Sequence, residues 1–488
     1  MTRTNLTLTL LGIASTLPYL AALGLGDLRK HTPGFEIAFF GAFVLYLSAV
    51  TIVLRHRPPE RRDGGSAFGI RHSTFVSSRY TLGLIFVFGV LFRVILLPTR
   101  PTLSDDMYRY VWDGRVQANG ISPYRYPPDA PEVASLKQGD RTVWRYINRK
   151  SAITVYPPGA QLAYAGIWQL AGDNVTGFKA AFVMAELLGG LLLMHLLRRF
   201  NRPPERSLVY VWSPLLVFEV AHAGHVDGLM IPLLIAAFWA RATDRHWLLG
   251  LCLGAATLVK LFPALLLAAL LPLPRPLTRH ALRPALRALI GFGGVIGAGY
   301  AAYLSGDVSP LGFLPSYFSE NFNLGLAHPL FELARQLEIP GSTLANVIAF
   351  GGLAVLNAVF VWRPAASARE ALIRCAWLIG WLTLFTQNLF AWYLIWLLPL
   401  ITLFVEPGKL LGLKVAPMTG WLIFSGTIAL SYVFFIRWRP MPWVQLAEYL
   451  PWYALLLAAA LRRFWPALRL ASARFEMHKA SSTQSKWT

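Results

Sequence analysis

Two carboxylates stand side by side, Asp105 and Asp106, in the stretch SDDMYRYVWDGRVQANGISPYRYPPDAP over 104–131. The stretch follows closely on an apolar run, 80–97, long enough to span a bilayer. A carboxylate at a membrane edge can take the proton of an attacking hydroxyl, or it can pair with a nearby cation. At helical spacing Asp106, Arg109, Asp113 and Gln117 share one face, and Met107, Val111 and Gly114 line another. Adjacent helix positions diverge by about 100°, so Asp105 and Asp106 are not expected to share one proton or one task. One serves as a base, and the other orients it or holds Arg109. The competing reading is a solvated ion-pair face, Asp106–Arg109–Asp113.

Other chemistry-bearing residues gather at the ends of apolar runs. The stretch EVAHAGHVDGLMIP sets out Glu219, His222, His225 and Asp227. His222, His225 and Asp227 have a spacing that a metal site can use, but a polar cap on a helical hairpin explains them as well, and no metal is expected. Lys260, in TLVKLFPALLL just before Pro263, can snorkel or hold a phosphate as a point charge. Glu186 is an acid within an apolar run, either a functional group or a polar contact between helices. His328, Gln387, Asn388, Trp392 and Tyr393 add polar and aromatic groups in SENFNLGLAHPLF and TQNLFAWYLIW. Such aromatics form an interface belt or a sugar-binding face.

The elements that must position these residues are membrane helices. Of 488 residues, 55% are hydrophobic and 14% charged, below the roughly one-quarter charged fraction of soluble domains. The apolar residues fall in blocks near the ~20 residues of a spanning helix. About fourteen spans are expected: 7–25, 35–54, 80–97, 175–197, 207–221, 228–241, 246–258, 262–274, 285–304, 342–362, 372–386, 391–405, 416–436 and 443–461. The fold class is an all-α polytopic membrane protein. The N-terminal run reads as a retained first span, since a second follows at once and no A-x-A site closes it. Cys252 and Cys375 lie in apolar blocks and give neither a metal spacing nor a disulfide framework.

The net charge of +21 sits mostly in short loops, which fits the positive-inside rule and anionic lipid rather than nucleic acid. Arginines in 55–79, 198–206, 275–287 and the tail after 461 place those segments in the cytoplasm and loops 98–174 and 305–341 outside. Three regions follow: 1–79, a two-span hairpin with a basic loop; 80–461, the transmembrane catalytic part; and 462–488, a basic cytoplasmic tail. Within loop 98–174 a surface helix is expected over 105–119. Ser104 caps it, its polar face is up, and Gly120 and Pro123 end it. A second surface helix opens at the two prolines of YPPGAQ.

An outward-facing transferase needs a donor delivered by lipid, and a polyprenyl-phosphate sugar is one. A base on the acceptor hydroxyl and a cation at the departing phosphate then suffice. The stretch DMYRYVWDGRVQANGISPY resembles the first outer loop of GT-C superfamily glycosyltransferases, above all glycosyltransferase family 87 and the bacterial polyprenyl-phosphomannose-dependent mannosyltransferases. That loop reads Asp, three residues, Tyr, nine residues, Gly, two residues, Pro-Tyr, and Asp106, Tyr110, Gly120, Pro123 and Tyr124 keep the spacing. TVYPPGAQ, GHVDGLMIP, LVKLFPALLL and NLFAWYLIWLLPL resemble further segments, so the likeness spans 80–440.

The resemblance implies a GT-C-like fold of 12–14 helices in a bacterial inner membrane and a cofactor-free, metal-independent, inverting transfer, usually of mannose. Asp106 would be the base, with Asp105 beside it, and Lys260 a ligand of the donor phosphate. Arg109, His225 and Asp227 are expected on the donor side, and Tyr110, Tyr124, His328, Trp392 and Tyr393 on the acceptor and sugar side. The partners would be the polyprenyl-phosphate sugar, a glycan or lipid acceptor and membrane lipid. The chain departs from the pattern in its double Asp and in the hairpin 7–54. Two other classes compete: a transporter or flippase of lipid-linked substrates, and a ligase or polymerase of lipid-linked glycans. No inverted repeat supports the first. Key residues of the second usually lie in a late outer loop, and here 305–341 is poorer in charge than 98–174.

Overall fold

A computed structural model describes residues 2–55, 67–139, 142–274, 278, 281–304, 309–312, 322–323, 325–410, 412–439 and 441–484, with side chains omitted for 67–78 and 464–484. Parts of the basic loops 55–79 and 275–287 and of the loop 305–341, and the end of the tail, lie outside the described residues.

The chain is a bundle of helices. In order these are α1 (Arg3–Leu25), α2 (Thr32–Arg55), α3 (Ala67–Leu96), α4 (Asp106–Ala118), α5 (Val143–Tyr146), α6 (Pro158–Ala171) and α7 (Val175–Arg199). Next come α8 (Leu208–Val211), α9 (Pro214–Val217), α10 (Asp227–Ala242), α11 (His246–Val259), α12 (Leu267–Leu270) and α13 (Arg283–Ala301). The last are α14 (Ala327–Gln336), α15 (Gly341–Trp362), α16 (Ala368–Phe385), α17 (Leu398–Phe404), α18 (Pro417–Thr427), α19 (Phe434–Arg437) and α20 (Pro442–Gln484). Lipid offers no partner to a free backbone N–H or C=O, so an apolar block of this length must close its bonds internally as a helix.

Among the described residues, seven segments are long and apolar enough to cross a membrane: Arg3–Leu25, Thr32–Arg55, Arg79–Leu96, Val175–Arg199, Gly341–Trp362, Pro417–Arg437 and Pro442–Arg463. The protein is a multi-pass membrane protein. The other expected spans form helices that are shorter, broken or less apolar. The block 207–221 breaks at Ser213–Pro214 and ends in a π turn, Phe218–His222. The block 262–274 opens as a 3-10 turn carrying Pro263, and 391–405 opens as another before Pro399. Proline removes the N–H that would continue each ladder.

The buried acid in α7 has a partner. Arg93 Nε and Nη2 reach the Glu186 carboxylate at 2.5 and 2.8 Å, and Arg93 Nη1 donates to the carbonyls of Gly89 and Val211. Every group of this pair is satisfied, so Glu186 ties helices together and takes no part in the cavity described below.

The loop 98–174 carries both expected helices, α4 and α6. α4 ends as a Schellman turn: Gly120 (φ 73°) donates to Gln117 O, and Ile121 donates to Val116 O. A Cβ at Gly114 would meet Tyr164 O at 2.7 Å and Trp168 Cβ at 2.9 Å, so the glycine is what lets α4 lie close on α6. Two expectations need correction. The N-cap of α4 is Asp105, not Ser104, although the Ser104 hydroxyl accepts the Asp106 N–H at 3.3 Å. The polar face of α4 is also not up in solvent. Arg109 and Asp113 are buried, because α6 and the segment 148–157 supply partners that compensate their desolvation.

Candidate active site

A cavity of about 510 Å³ lies where α4, the segment 148–157, the end of α11, α15, α16 and the segment 386–396 meet. Asp106, Arg109, Asn148, Lys260, Trp392 and Tyr393 are among its lining residues. Residues far apart in sequence thus share one chamber, polar at the start of α4 and aromatic at Phe390, Trp392, Tyr393 and Trp396.

Asp106 opens α4, where the helix dipole favours a negative charge. Its Oδ1 accepts Asn148 Nδ2 at 2.9 Å, which fixes the carboxylate's orientation. Arg109 does not turn to Asp106. Its Nε donates to Asp113 Oδ1 at 2.7 Å, one turn along, and its Nη1 donates to Ala152 O at 2.9 Å. Asp113 Oδ2 accepts from Thr154 Oγ1 at 2.7 Å and Gln161 Nε2 at 2.9 Å, so its charge is fully held. Gln117 binds Gln161 and accepts the Tyr303 hydroxyl at 2.6 Å, which extends the network to the C-terminal end of α13. A satisfied buried network of this kind rigidifies what it holds, here the guanidinium at the cavity wall.

Lys260 is the C-cap of α11, in extended backbone. Its Nζ lies 2.8 and 3.0 Å from the two oxygens of Asp227, which is fully buried at the start of α10. Trp396 Nε1 donates to Asp227 Oδ1 at 2.5 Å. The ammonium also lies 5.2 and 5.3 Å from the Tyr393 and Trp396 ring centroids, within cation–π range. Trp396 stacks on Phe262 at 3.8 Å and on Tyr393 at 4.4 Å, while Trp392 stacks on Phe390 at 4.4 Å. The two stacks meet edge-on, with Trp392 at 85° to Tyr393, and together they form an aromatic wall. Beside it Asn388 Oδ1 is buried with no hydrogen-bond partner among the described residues, an acceptor suited to a hydroxyl-rich ligand.

Several expected site residues lie elsewhere. Asp105 is turned away, to Arg29 of the α1–α2 turn, with Nη2 2.8 Å from Oδ1. Tyr110 is buried in a stack with Tyr164 at 4.8 Å, and Tyr124 is buried with its hydroxyl donating to Tyr156 O at 2.7 Å. Burial pushes both hydroxyls well above their ordinary pKa, and neither ring lines the cavity. Both tyrosines pack within the loop. His225 sits behind the wall, stacked on Trp392 at 4.0 Å with Nδ1 3.0 Å from Glu219 Oε2. His328 is exposed on α14 and is not a cavity residue.

His222 accepts the Thr102 N–H at Nε2 (3.3 Å), so Nδ1 carries the proton toward Thr99 Oγ1 at 2.8 Å. His222, His225 and Asp227 therefore face three different sets of partners. Among the described residues no group of three His, Cys, Asp or Glu is placed to hold a metal. Asn148, Thr154, Gln161 and Trp396 went unread in the sequence. Asn148 and Thr154 lie in irregular backbone and Gln161 and Trp396 in largely apolar helical stretches, where no periodicity marks a functional side chain.

No curated protein matches the chain. The family model described as alpha-(1->6)-mannopyranosyltransferase, N-terminal domain, matches residues 19–274, more than half of the 488-residue chain. That stretch begins inside α1 and takes in α4, α6, Asp106, Asp227 and Lys260. With this match over a helical membrane bundle that holds a carboxylate and a lysine in one chamber, the chain belongs to the MptA_B family of alpha-(1->6)-mannopyranosyltransferases.

Proposed function

We propose that the protein transfers a mannosyl group from a polyprenyl-phosphate donor to a hydroxyl of a glycan or lipid acceptor, with inversion, on the outer face of a bacterial inner membrane. The observation that carries the reading is the shared cavity of Asp106, Arg109 and Lys260. In the reaction the acceptor oxygen bonds to the anomeric carbon as the bond from that carbon to the phosphate oxygen breaks. The hydroxyl proton passes to the Asp106 carboxylate, and the polyprenyl phosphate leaves with one more negative charge. Lys260 and Arg109 meet that charge. Each is backed by its own carboxylate, Asp227 or Asp113, which aims the cation without a rearrangement at the moment of reaction. The aromatic wall at Trp392 and Tyr393 would carry the apolar face of a sugar ring. The apolar lining at Leu261, Leu265, Ala349 and Leu382 would take the start of the prenyl chain.

A GT-C-like catalytic part over 80–461 fits this reading, flanked by the hairpin and basic loop of 1–79 and the basic tail of 462–488. The test is transfer by purified protein from a polyprenyl-phosphate mannose with no nucleotide sugar present, repeated in a chelator. The reading predicts turnover in both. Transfer only from a nucleotide sugar would overturn the donor, and chelator-sensitive transfer would overturn the metal-free mechanism.

A further inference from the structure

The segment that joins α3 to α4 is gripped by the α1–α2 turn. Thr102 is the centre of the grip: its carbonyl accepts Arg29 Nε at 2.6 Å, and its hydroxyl accepts the Leu28 N–H at 3.1 Å. Arg29 then forks onto Asp105, with Nη2–Oδ1 at 2.8 Å and Nη1–Oδ2 at 3.3 Å. A second pair, Arg100 Nη2 to Asp27 Oδ2 at 3.1 Å, repeats the connection nearby.

Asp105 occupies the N-cap position of α4, where an aspartate ordinarily accepts a backbone N–H from the first turn. It makes no such bond, and its carboxylate goes to Arg29 instead. Stability is a poor account of that exchange. The two side chains are 23% and 33% exposed, and ion pairs that wet contribute little. Direction is a better account. A forked arginine–carboxylate pair fixes the angle between its partners, and the next residue after Asp105 is Asp106.

We propose that Arg29 and Asp105 are positioning residues for the transfer. They tie the first turn of α4 to the N-terminal hairpin and so hold the Asp106 carboxylate at the cavity. The proposal rests on Asp106 as the base. It gives the hairpin a task in the chemistry and separates the two neighbouring aspartates by role.

The test uses full-length protein in nanodiscs and single-turnover transfer from saturating polyprenyl-phosphate mannose, with donor affinity measured in parallel. Asp105→Asn and Arg29→Gln should each slow transfer roughly ten- to hundredfold, as a small misplacement does. Donor affinity should stay within about threefold, because no phosphate ligand is touched. The double variant should be no slower than the slower single one, and the charge swap Arg29→Asp with Asp105→Arg should recover much of the rate. The acid limb of the pH–rate profile should persist in all of them. Should Arg29→Gln fail to assemble, Arg29→Lys decides: it keeps the charge without the fork and should still be slowed.

Wild-type rates in the single variants, or in Arg29→Lys when it alone can be measured, would overturn the proposal, as would losses that multiply in the double variant. Loss of the acid limb in Asp105→Asn would make Asp105 the base. Asp106→Asn separates the two claims. If it is dead while Asp105→Asn and Arg29→Gln are normal, only the positioning role falls. If it is fully active, the base assignment falls with it.

Discussion

The Lys260 ammonium and the Asp227 carboxylate meet at 2.8 Å, with the acid fully buried and the lysine open to the cavity. This asymmetry sets what each substitution does. Lys260→Met leaves a buried carboxylate with Trp396 as its one donor among the described residues and should cost about 3 kcal/mol of stability, the range for a broken buried pair. Adding Asp227→Asn should restore most of that stability but none of the transfer. Thermal unfolding and a transfer assay on the single and double variants check this. A double variant as unstable as the single one would mean that the pair is not the cause.

Asp106→Asn keeps the side chain's shape and removes its basicity. Transfer should fall by about 10²–10⁴, the usual worth of a positioned base, with donor affinity nearly intact. Asn148→Ala removes the only hydrogen bond that orients Asp106 Oδ1 among the described residues, and should cost about tenfold in rate. Single-turnover rates with donor affinities separate these effects from binding.

Tyr110 and Tyr124 keep the family spacing but do not reach the cavity. Tyr110→Phe and Tyr124→Phe should therefore leave transfer within about threefold, while Tyr124→Phe loses roughly 1 kcal/mol for its hydrogen bond to Tyr156 O. Trp392→Ala, at the wall, should instead weaken acceptor or sugar binding by tenfold or more, about the worth of one aromatic stacking contact. Steady-state KM and kcat for the three variants show which tyrosines are packing groups.

Gly114→Ala places a methyl group against the Tyr164 carbonyl, 2.7 Å away. Backbone cannot step aside as a side chain can, so α4 must shift off α6. The expected loss is about 1–3 kcal/mol of stability, with a fall in transfer because α4 carries Asp106. Thermal unfolding alongside transfer tests whether the two losses move together.

The orientation of loop 98–174 is open to a labelling experiment. Cys252 and Cys375 are the chain's two cysteines, and both can be replaced. Gln138 is exposed in this loop. Gln138→Cys in that background should react with a membrane-impermeant thiol reagent in intact cells. Protection until the membrane is permeabilised would place the loop in the cytoplasm and remove the argument for a lipid-linked donor.

Local order was determined by the sequence itself. The apolar blocks had to become helices, since a bilayer leaves no other way to satisfy their backbone. Gly120 ended α4 and the prolines of YPPGAQ opened α6, because single-residue backbone preferences act without distant partners. The tertiary structure alone decided which polar groups became neighbours. Asp106 and Lys260 share a cavity only because α4 and the end of α11 are brought together by the bundle. Arg109 chose Asp113 over Asp106 because the Asp113 carboxylate could be desolvated with its remaining hydrogen bonds filled, whereas Asp105, which stays partly exposed, turned to Arg29 where the α1–α2 turn grips the segment before α4. Helical spacing offered Arg109 either acid and could not name Arg29 at all. The preference came from Thr154, Gln161, Thr102 and Asn148, side chains that lie outside α4 and that its periodicity could not include.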